Sequence, residues 1–329
     1  MSNFSHSSRD NPLAGITLLV FSLFLFSLQD VVIKFFSDQY SVLQVVFIRG
    51  VIAGTLMYMA ACYYKTRNQL KPNRPWLAAL RGLCGFTSYT AYYLAVASLP
   101  LAEVVALVFT APLFVTVMSA IILREEVGPR RWAAVAVGFV GILVMLGPSG
   151  HFDGLGVTLS LIAAVCYACQ SILTRYLSTN DSPLSLAFST TATFTLASGL
   201  LSIILAAGLI SQTSTHPSLE FFMRDWAMPE SIGLALMIFL GFNGAVAFFC
   251  MSKAYSVAPA STITPFEYTY MIWAVMFGFF LWGEIPRLTT AIGVSILIAS
   301  SLYIWQRERF LARASKSITP DKPIQQPAC

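Results

Sequence analysis

Ten runs of about 20 apolar residues follow one another along the chain, and an apolar run of this length crosses a bilayer as an α-helix. The runs cover residues 13–36, 42–63, 75–98, 101–123, 130–147, 155–177, 183–208, 231–254, 259–282 and 287–306. Charged residues make up only 11% of the chain, whereas soluble domains carry about 25%. The sequence therefore predicts an all-α membrane protein with ten transmembrane helices.

The basic residues lie almost entirely in the connections and tails on one side of these ten runs. That side holds Arg9, Lys65, Arg67, Lys71, Arg74, Arg124, Arg130, Arg131, Arg175, Lys253, Arg307, Arg309, Arg313, Lys316 and Lys322. The loops on the opposite side, including the long connection at 209–230, hold only Arg224 and Arg287. Because Lys and Arg accumulate in cytoplasmic loops, both termini are predicted to be cytoplasmic.

The two halves of the chain repeat one another. "GITL" at 15–18 matches "GVTL" at 156–159, and the segment 100–127 aligns with 258–285. Each half holds five predicted helices, an odd number, so the second copy must cross the membrane in the opposite direction, as in many secondary transporters. The predicted organisation is a cytoplasmic tail at 1–12, a first repeat at 13–148, a second repeat at 153–306 and a basic cytoplasmic tail at 307–329.

The aligned segments resemble the EamA-type drug/metabolite transporters. The resemblance is carried by "PLAEVVALVFTAPLFV" at 100–115, by "REE" and "WGE" after the fourth and ninth helices, and by "GFVGILVMLGP" at 138–148. It covers about 13–305 and implies two inverted five-helix EamA repeats around a central cavity with alternating access, in a bacterial inner membrane. "DSPL" at 181–184 and "APASTITPFEYTYMIWA" at 258–274 are most similar to the branch of riboflavin and S-adenosylmethionine uptake carriers.

Three charged residues inside the first two apolar runs are expected to form one cluster. Asp30 and Lys34 are one helical turn apart, and Arg49 is at a similar depth in the second run. A charge at mid-bilayer costs roughly 2.5–3.5 kcal/mol on translocon scales, so such residues face a cavity or a partner. We expect the three to recognise charge at the outer entrance of the cavity; the alternative is a structural ion pair with Lys34 reaching outward. Glu103 either extends this cluster or is held by its helix N-terminus.

The repeat register adds a polar residue to the candidates. Gln170 in the second half stands at the position of Gln29 in the first. Uncharged residues, Ser171 and Thr190, stand where the first half has its aspartate and its arginine. This asymmetry favours a specific role for the two charged positions over packing alone.

A second candidate group lies deeper, in the ninth run. Glu267 is roughly 12 Å from the cytoplasmic end at 1.5 Å per residue, and Tyr270 and Trp273 follow on the adjacent helical face. A carboxylate beside aromatic rings suits a cationic or flat ring-bearing ligand, and a buried carboxylate also suits the binding and release of a proton. The alternative is a carboxyl group hydrogen-bonded between helices.

Other residues have both a functional and a packing interpretation. Tyr89, Tyr92 and Tyr93 in the third run line the cavity or fill the bundle, and Asn243, between two glycines, marks a hinge or a close helix contact. Glu126 and Glu284 are expected to cap the turns that follow their own helices.

The sequence argues against an enzyme and predicts neither a cofactor nor a metal. The histidines, His6, His151 and His216, lie in a tail or in loops, which removes histidine-dependent intramembrane chemistry. "CYAC" at 166–169 lies inside an apolar run without a second ligand pair and is interpreted as helix packing.

We therefore expect a secondary or facilitative transporter whose partners are a small-molecule substrate, the lipid bilayer and H+ or another coupling ion. The net charge of +5 lies at the membrane edge and in the C-terminal tail, so no nucleic acid is expected. Uptake of a riboflavin- or S-adenosylmethionine-like metabolite competes with export of amino acids or drugs. The oligomeric state stays open.

Overall fold

The computed structural model describes residues 12–122, 129–146, 153–177, 180–207, 216–257, 266–267, 269–296, 298–299 and 303. Within these ranges the chain is helical, with turns and short connections and no strand. The helices are α1 (Pro12–Phe36), α2 (Val42–Tyr63), α3 (Pro75–Val96), α4 (Leu101–Val108), α5 (Ala111–Ile122), α6 (Pro129–Leu146), α7 (Gly154–Leu177), α8 (Pro183–Ala206), α9 (Pro217–Met223), α10 (Ser231–Val257) and α11 (Thr269–Trp282). A 3₁₀ turn covers Arg67–Leu70, and a last helical stretch covers 288–296.

The helix starts follow local sequence signals. Proline occupies the first turn of α3, α8 and α9, where the missing amide hydrogen leaves no helical acceptor unpaired. Ser41 and Ser182 cap α2 and α8 by accepting a hydrogen bond from a backbone amide of the first turn. Over most of the described chain the helix bounds agree with the predicted runs to within a few residues, which confirms those runs as helices.

Five of the described helices are long and apolar enough to cross a membrane. They are Leu13–Phe36, Val42–Tyr63, Gly154–Thr174, Leu184–Ala206 and Ser231–Met251. On α8 the side chains of Leu196, Leu200 and Ile203 form an exposed apolar stripe at helical spacing, 74%, 61% and 68% accessible. Such a surface is suited to lipid. Helix α3 is equally long, but its arginine and tyrosines make it more polar.

The fourth predicted run is not one helix. Phe109 and Thr110 form a tight turn between α4 and α5, in which the Thr110 amide donates to the Leu107 carbonyl at 3.1 Å. Pro112 follows directly and has no amide hydrogen to continue the ladder of the preceding helix. The prediction of a continuous helix over 101–123 is therefore wrong at this turn.

The main contacts between helices of different halves each have an equivalent contact between the corresponding helices. By the sequence repeat, α1, α2, α3 and α4 correspond to α7, α8, α10 and α11. Helix α1 packs against α10 while α3 packs against α7, and α2 packs against α10 while α3 packs against α8. The corresponding helices α2 and α8 contact each other, as do α4 and α11. This reciprocal pattern is what two copies of one unit related by a two-fold axis produce.

Corresponding helices also run in opposite directions. Glu284, after the end of α11, accepts hydrogen bonds from Lys34 in the last turn of α1 and from the Leu101 amide that begins α4. The amide of Glu230, just before α10, donates to Tyr40, just after α1. One end of the bundle thus holds the ends of α1 and α11 and the starts of α4 and α10.

The start of α7 joins this same end. Asp153, which precedes α7, contacts His216 at 2.9 Å, and the α9 segment that follows contacts Ser98, after the end of α3. Helices α1 and α3 therefore end where their counterparts α7 and α10 begin, and α4 begins where α11 ends. The two EamA-like halves fit an inverted arrangement over the described residues.

Candidate functional site

Asp30 is the centre of a hydrogen-bonded group contributed by both halves of the chain. Its carboxylate is 2% exposed and accepts hydrogen bonds from the hydroxyls of Tyr92 at 2.9 Å and Tyr93 at 2.8 Å, both on α3. The third donor is the hydroxyl of Tyr270 on α11. Asp30 thus joins α1 and α3 of the first half to α11 of the second.

Arg49 of α2 approaches this carboxylate through a tyrosine. Its guanidinium donates to the Tyr89 hydroxyl and lies 4.3 Å from the centre of the same ring. Tyr89 packs edge-on against Tyr93 with ring centres 4.4 Å apart. We call Asp30, Arg49, Tyr89, Tyr92, Tyr93 and Tyr270 the tyrosine cluster.

Asp30 carries the buried negative charge of the cluster and Arg49 carries the buried positive charge, and the two side chains do not contact each other. Among the described residues no basic side chain forms a salt bridge with Asp30, and Arg49 acts on it through space. A buried charge is tolerated when hydrogen bonds replace water, and three hydroxyl donors serve that purpose here. The arrangement is neutral overall, polar and enclosed by helices.

Two polar atoms close to the cluster have no hydrogen-bond partner among the described residues. Gln29 donates to the Tyr93 hydroxyl at 3.0 Å, but its own Oε1 is buried and unpaired. Thr110 Oγ1, in the turn whose Phe109 lies 6.4 Å from the Tyr270 ring, is also unpaired. Buried polar groups are rarely left unpaired, so these atoms mark positions where a polar ligand or water would be bound.

A second set of contacts joins the two halves at the end of the bundle where α1 ends. Lys34 forms an ion pair with Glu284 and lies 5.0 Å from the Trp282 ring. Glu284 also accepts from the Leu101 amide at 3.0 Å. Glu103, in the first turn of α4, pairs with Arg287 at 3.4 Å. We call Lys34, Glu284, Glu103 and Arg287 the ionic clasp.

A glycine fixes the position of Glu284. Gly283 has φ +65°, a left-handed conformation that a residue with a Cβ adopts at a cost. The Gly283 amide donates to the Phe279 carbonyl and the Glu284 amide to the Gly278 carbonyl, both at 3.0 Å. This turn ends α11 and aims the carboxylate at α1 and α4. The expectation that Glu284 caps its own turn is therefore wrong, because it caps α4 of the other half.

The opposite end of the bundle is joined by Arg81. Its guanidinium donates to Thr174 at 2.6 Å, to the Leu186 carbonyl at 2.9 Å and to Thr190 at 2.7 Å. The contacts connect α3 of the first half to α7 and α8 of the second. Asp181 of the "DSPL" segment accepts from the Asn73 amide at 2.7 Å at the same end.

The structure separates the three charged residues that were expected to form one cluster. Asp30 and Arg49 lie in the tyrosine cluster, but Lys34 pairs with Glu284 and has no contact with Asp30. The prediction of a single cluster is wrong because α1 presents successive turns to different neighbours. Glu103 belongs with Lys34 in the clasp and also lies in the first turn of its helix.

The second predicted group is also divided. Tyr270 bonds to Asp30, so its assignment to a separate deeper group is wrong. Trp273 packs edge-on against Phe24 of α1 with ring centres 5.1 Å apart. Glu267 is partly buried in a short helical turn before α11 and interacts electrostatically with Tyr167 of α7. Its role stays a prediction.

The remaining candidates lie at helix contacts. Asn243 is buried and donates to the Leu25 carbonyl of α1 at 2.8 Å, and α10 is continuous through it. This supports close packing and shows no break in α10 at Asn243; the hinge interpretation stays a prediction. The Gln170 side chain lies against Gly85 of α3, and Glu126 lies outside the described residues. Tyr92, three residues after Tyr89 and on the same helical face, joins Tyr89 and Tyr93 in the tyrosine cluster.

Clefts open elsewhere in the described chain. One of about 670 Å³ lies between α2, α3 and α8, with Tyr58, Arg67, Lys71 and Phe188 among its lining residues. It includes no member of the tyrosine cluster. The charged centre of the cluster is buried, since Asp30 and Tyr93 are each 2% exposed and Arg49 is 7% exposed, while Tyr89, Tyr92 and Tyr270 are partly exposed.

Comparison with known proteins gives consistent matches over most of the chain. The EamA-like transporter family matches twice, over residues 13–147 and 154–306. The chain is 30% identical over 300 residues to the S-adenosylmethionine uptake transporter of Rickettsia prowazekii, covering 90% of this chain and 94% of that protein. It is 32% identical over 221 residues to the riboflavin transporter of Vibrio cholerae, covering 67% of each. A protein of known crystal structure shares the fold, with a TM-score of 0.58 and 18% identity over 91% of this chain and 99% of that one.

Proposed function

The chain belongs to the EamA-like transporter family, and on that premise we propose that it takes up a metabolite of the S-adenosylmethionine type by alternating access. The family and the relatives make it a multi-pass membrane transporter of a small metabolite. The relatives named for S-adenosylmethionine match over 94% of their length, and the riboflavin transporter of Vibrio cholerae over 67%. This difference supports the choice of substrate.

One observation carries the proposal that the tyrosine cluster is the substrate site. A buried carboxylate on α1 is held by hydroxyls from α3 and α11, which belong to different halves. Transporters with inverted repeats bind their substrate between the repeats near the middle of the bilayer. A movement of one half against the other would withdraw Tyr270 from Asp30 and make the carboxylate available.

We further propose that the chain spans a bacterial inner membrane ten times, with both termini in the cytoplasm. The reversed direction of corresponding helices supports two inverted repeats, at 13–148 and 153–306. The strong excess of Lys and Arg on one side supports the orientation. Accessibility labelling that places the two termini on opposite faces would contradict this topology.

In this proposal the two ends of the bundle open alternately. The ionic clasp closes the outer end, because its members lie on the side with few basic loop residues. The contacts of Arg81 close the cytoplasmic end. Opening either end requires that its inter-half contacts break, while the other end stays joined. Ion pairs suit this purpose because water solvates the two charges when the pair breaks, so the net contribution of the pair to the stability of the closed state is modest.

Coupling to a proton is proposed for Glu267. The residue is partly buried, close to α7 and at the start of the helix that carries Tyr270. A carboxylate at that position would take up and release a proton as α11 moves. Replacement of Glu267 by Gln is expected to abolish the response of uptake to a proton gradient while substrate binding persists. Unchanged gradient dependence in this variant would exclude the role.

The experiment that tests the function is uptake into proteoliposomes. Purified protein is reconstituted, and labelled S-adenosylmethionine and labelled riboflavin are offered separately, with and without a proton gradient, beside protein-free liposomes. We expect saturable uptake of S-adenosylmethionine. Uptake of riboflavin alone would contradict the proposed substrate, and extrusion of amino acids or drugs without either uptake would favour an exporter.

A further inference from the structure

We propose that Asp30 and Arg49 recognise opposite charges on one substrate: a positive centre bound by Asp30 among the tyrosines, and a carboxylate bound by Arg49. This rests on the proposed function of the tyrosine cluster as the substrate site. In S-adenosylmethionine the positive centre would be the sulfonium, and the carboxylate that of its amino-acid part. The two subsites lie on different helices, α1 and α2, and Tyr89 and Tyr93 separate them.

The surroundings of Asp30 suit a cation that cannot donate hydrogen bonds. The carboxylate has no salt-bridge partner among the described residues, and its hydrogen bonds come from neutral hydroxyls. The rings of Tyr92 and Tyr93 lie next to it, with centres 5.0 Å apart. A sulfonium has no N–H, so it is held by charge and by the faces of aromatic rings. A carboxylate enclosed by tyrosine rings offers both.

Arg49 has the unused donors that a carboxylate requires. A guanidinium carries five N–H donors in a planar fork, and within the described chain Tyr89 is the one hydrogen-bond partner of Arg49. The residue is 7% exposed, and its other donors are available to a ligand that enters the cluster. Pairing with a carboxylate is often bidentate and is the strongest hydrogen-bonded contact that this side chain makes. The buried, largely unpaired guanidinium therefore points to an anionic group on the ligand.

The second half of the chain lacks both charges, which gives the site a direction. The repeat register places Ser171 and Thr190 at the corresponding positions, and Thr190 accepts from Arg81 instead. A two-fold site with charge on one side binds a dipolar ligand in one orientation. The isoalloxazine ring of riboflavin carries neither a fixed cation nor a carboxylate, so the charge pair selects against it.

The test compares ligands that lack one charge with variants that lack the matching residue. Competition against labelled S-adenosylmethionine is measured in proteoliposomes with S-adenosylhomocysteine, which lacks the sulfonium, and with decarboxylated S-adenosylmethionine, which lacks the carboxylate. In the unmodified protein each analogue is expected to bind at least tenfold more weakly. Asp30→Asn should weaken S-adenosylmethionine at least tenfold and leave S-adenosylhomocysteine unchanged. Arg49→Gln should weaken the binding of S-adenosylmethionine at least tenfold and leave the binding of the decarboxylated analogue unchanged.

A matched control separates charge recognition from general damage. Asp38 is an exposed aspartate just beyond the end of α1, and Asp38→Asn should retain the full discrimination. Monodispersity in detergent and retained binding of the unaffected analogue show that each variant is folded. If a variant does not fold, the relative affinities of the unmodified protein for S-adenosylmethionine and the two analogues still test whether it recognises both charges.

The outcomes separate a failure of the proposed charge recognition from a failure of the proposed transport function. Equal affinity for S-adenosylmethionine and S-adenosylhomocysteine would overturn the sulfonium subsite while transport stands. An Asp30→Asn variant that weakens both ligands equally would also overturn it, because that is a structural effect. Uptake of riboflavin alone would overturn the charge pair but keep the transporter, whereas no uptake of either substrate would remove the proposed function itself.

Discussion

Breaking the ionic clasp should open the tyrosine cluster to solvent. The change with the clearest interpretation is Glu284→Gln, because glutamine keeps the shape of the side chain and one carbonyl oxygen. That oxygen still accepts from the Leu101 amide, so the start of α4 stays capped. The variant loses the ionic part of the contact with Lys34.

The structure sets the size of the effect. The side chains of Lys34 and Glu284 are 11% and 18% exposed, so the pair lies between a surface and a buried salt bridge. A hydrogen bond between charged groups contributes ~1.5–3 kcal/mol, whereas exposed pairs contribute up to ~1 kcal/mol. We therefore take ~1–2 kcal/mol for the lost interaction, which changes the ratio of closed to open protein about 5- to 30-fold.

Cysteine accessibility measures that ratio. Ser27 is completely buried and precedes Asp30 by three residues, on the same face of α1. In a variant with the native cysteines replaced, Ser27→Cys is alkylated by a maleimide in nanodiscs, where both faces of the bilayer are accessible. When the open state is the minor one, the alkylation rate is proportional to its population. Glu284→Gln should accelerate alkylation about 5- to 30-fold.

A surface ion pair provides the matched control. Glu220 of α9 pairs at 2.7 Å with Arg224, just after the end of that helix, and the Glu220 side chain is 58% exposed. Because such a pair contributes little, Glu220→Gln should change the alkylation rate less than twofold. Lys34→Met should act like Glu284→Gln, and the double variant should add almost nothing, since both remove one interaction. An unchanged rate in Glu284→Gln, or an equal rise in Glu220→Gln, would refute the clasp.

Three further changes follow from single contacts. Tyr270→Phe removes one hydroxyl donor from Asp30 and keeps the ring; because a hydrogen bond to a charged group contributes ~1.5–3 kcal/mol and this one joins α11 to α1, we expect a folded protein in which alkylation of Ser27→Cys is roughly 12- to 160-fold faster. Gly82→Ala places a Cβ within 2.6 Å of a threonine Cβ on α8, so thermal unfolding in detergent should show a loss of roughly 1–3 kcal/mol, while Gly154→Ala, with nothing within 4 Å, should be neutral. The pKa of Asp153 is lowered: its burial acts to raise it, but its hydrogen bonds outweigh that effect. Its contribution is present at neutral pH and is lost as the pH falls through the lowered folded pKa, so Asp153→Asn should lower the unfolding midpoint at pH 7, and its difference from the unmodified protein should shrink as the pH falls below 3.8.

The sequence was sufficient for most of the helix positions and for the two buried charges of the candidate site. Long apolar runs leave an α-helix as the only way to satisfy the backbone in lipid, and a charged residue within such a run stands out. Asp30 and Arg49 were found in this way. The internal repeat also predicted the reversed direction of corresponding helices, which follows from an odd number of spans.

The partners of the charged residues were beyond the sequence because they depend on contacts between distant helices. Hydropathy gives the depth of Lys34 but not the angle at which α1 faces α11, and its partner Glu284 lies 250 positions away. The turn between α4 and α5 had a local signal in Pro112, but the apolar pattern of the fourth run continues through it. Tyrosines are equally suited to packing and to hydrogen bonding, so their hydroxyl partners required the fold.

The clasp and the tyrosine cluster are connected because the same two helices form both. Helix α1 carries Asp30 and Lys34, and α11 carries Tyr270 and leads into Glu284. Separation of α11 from α1 would break the ion pair and withdraw the Tyr270 hydroxyl in one movement. A ligand that replaces this hydroxyl at Asp30 would therefore remove one of the polar contacts between the two helices. In the proposed mechanism this geometry would couple substrate binding to opening of the outer end, because a ligand shifts a conformational equilibrium only through contacts that differ between the two states.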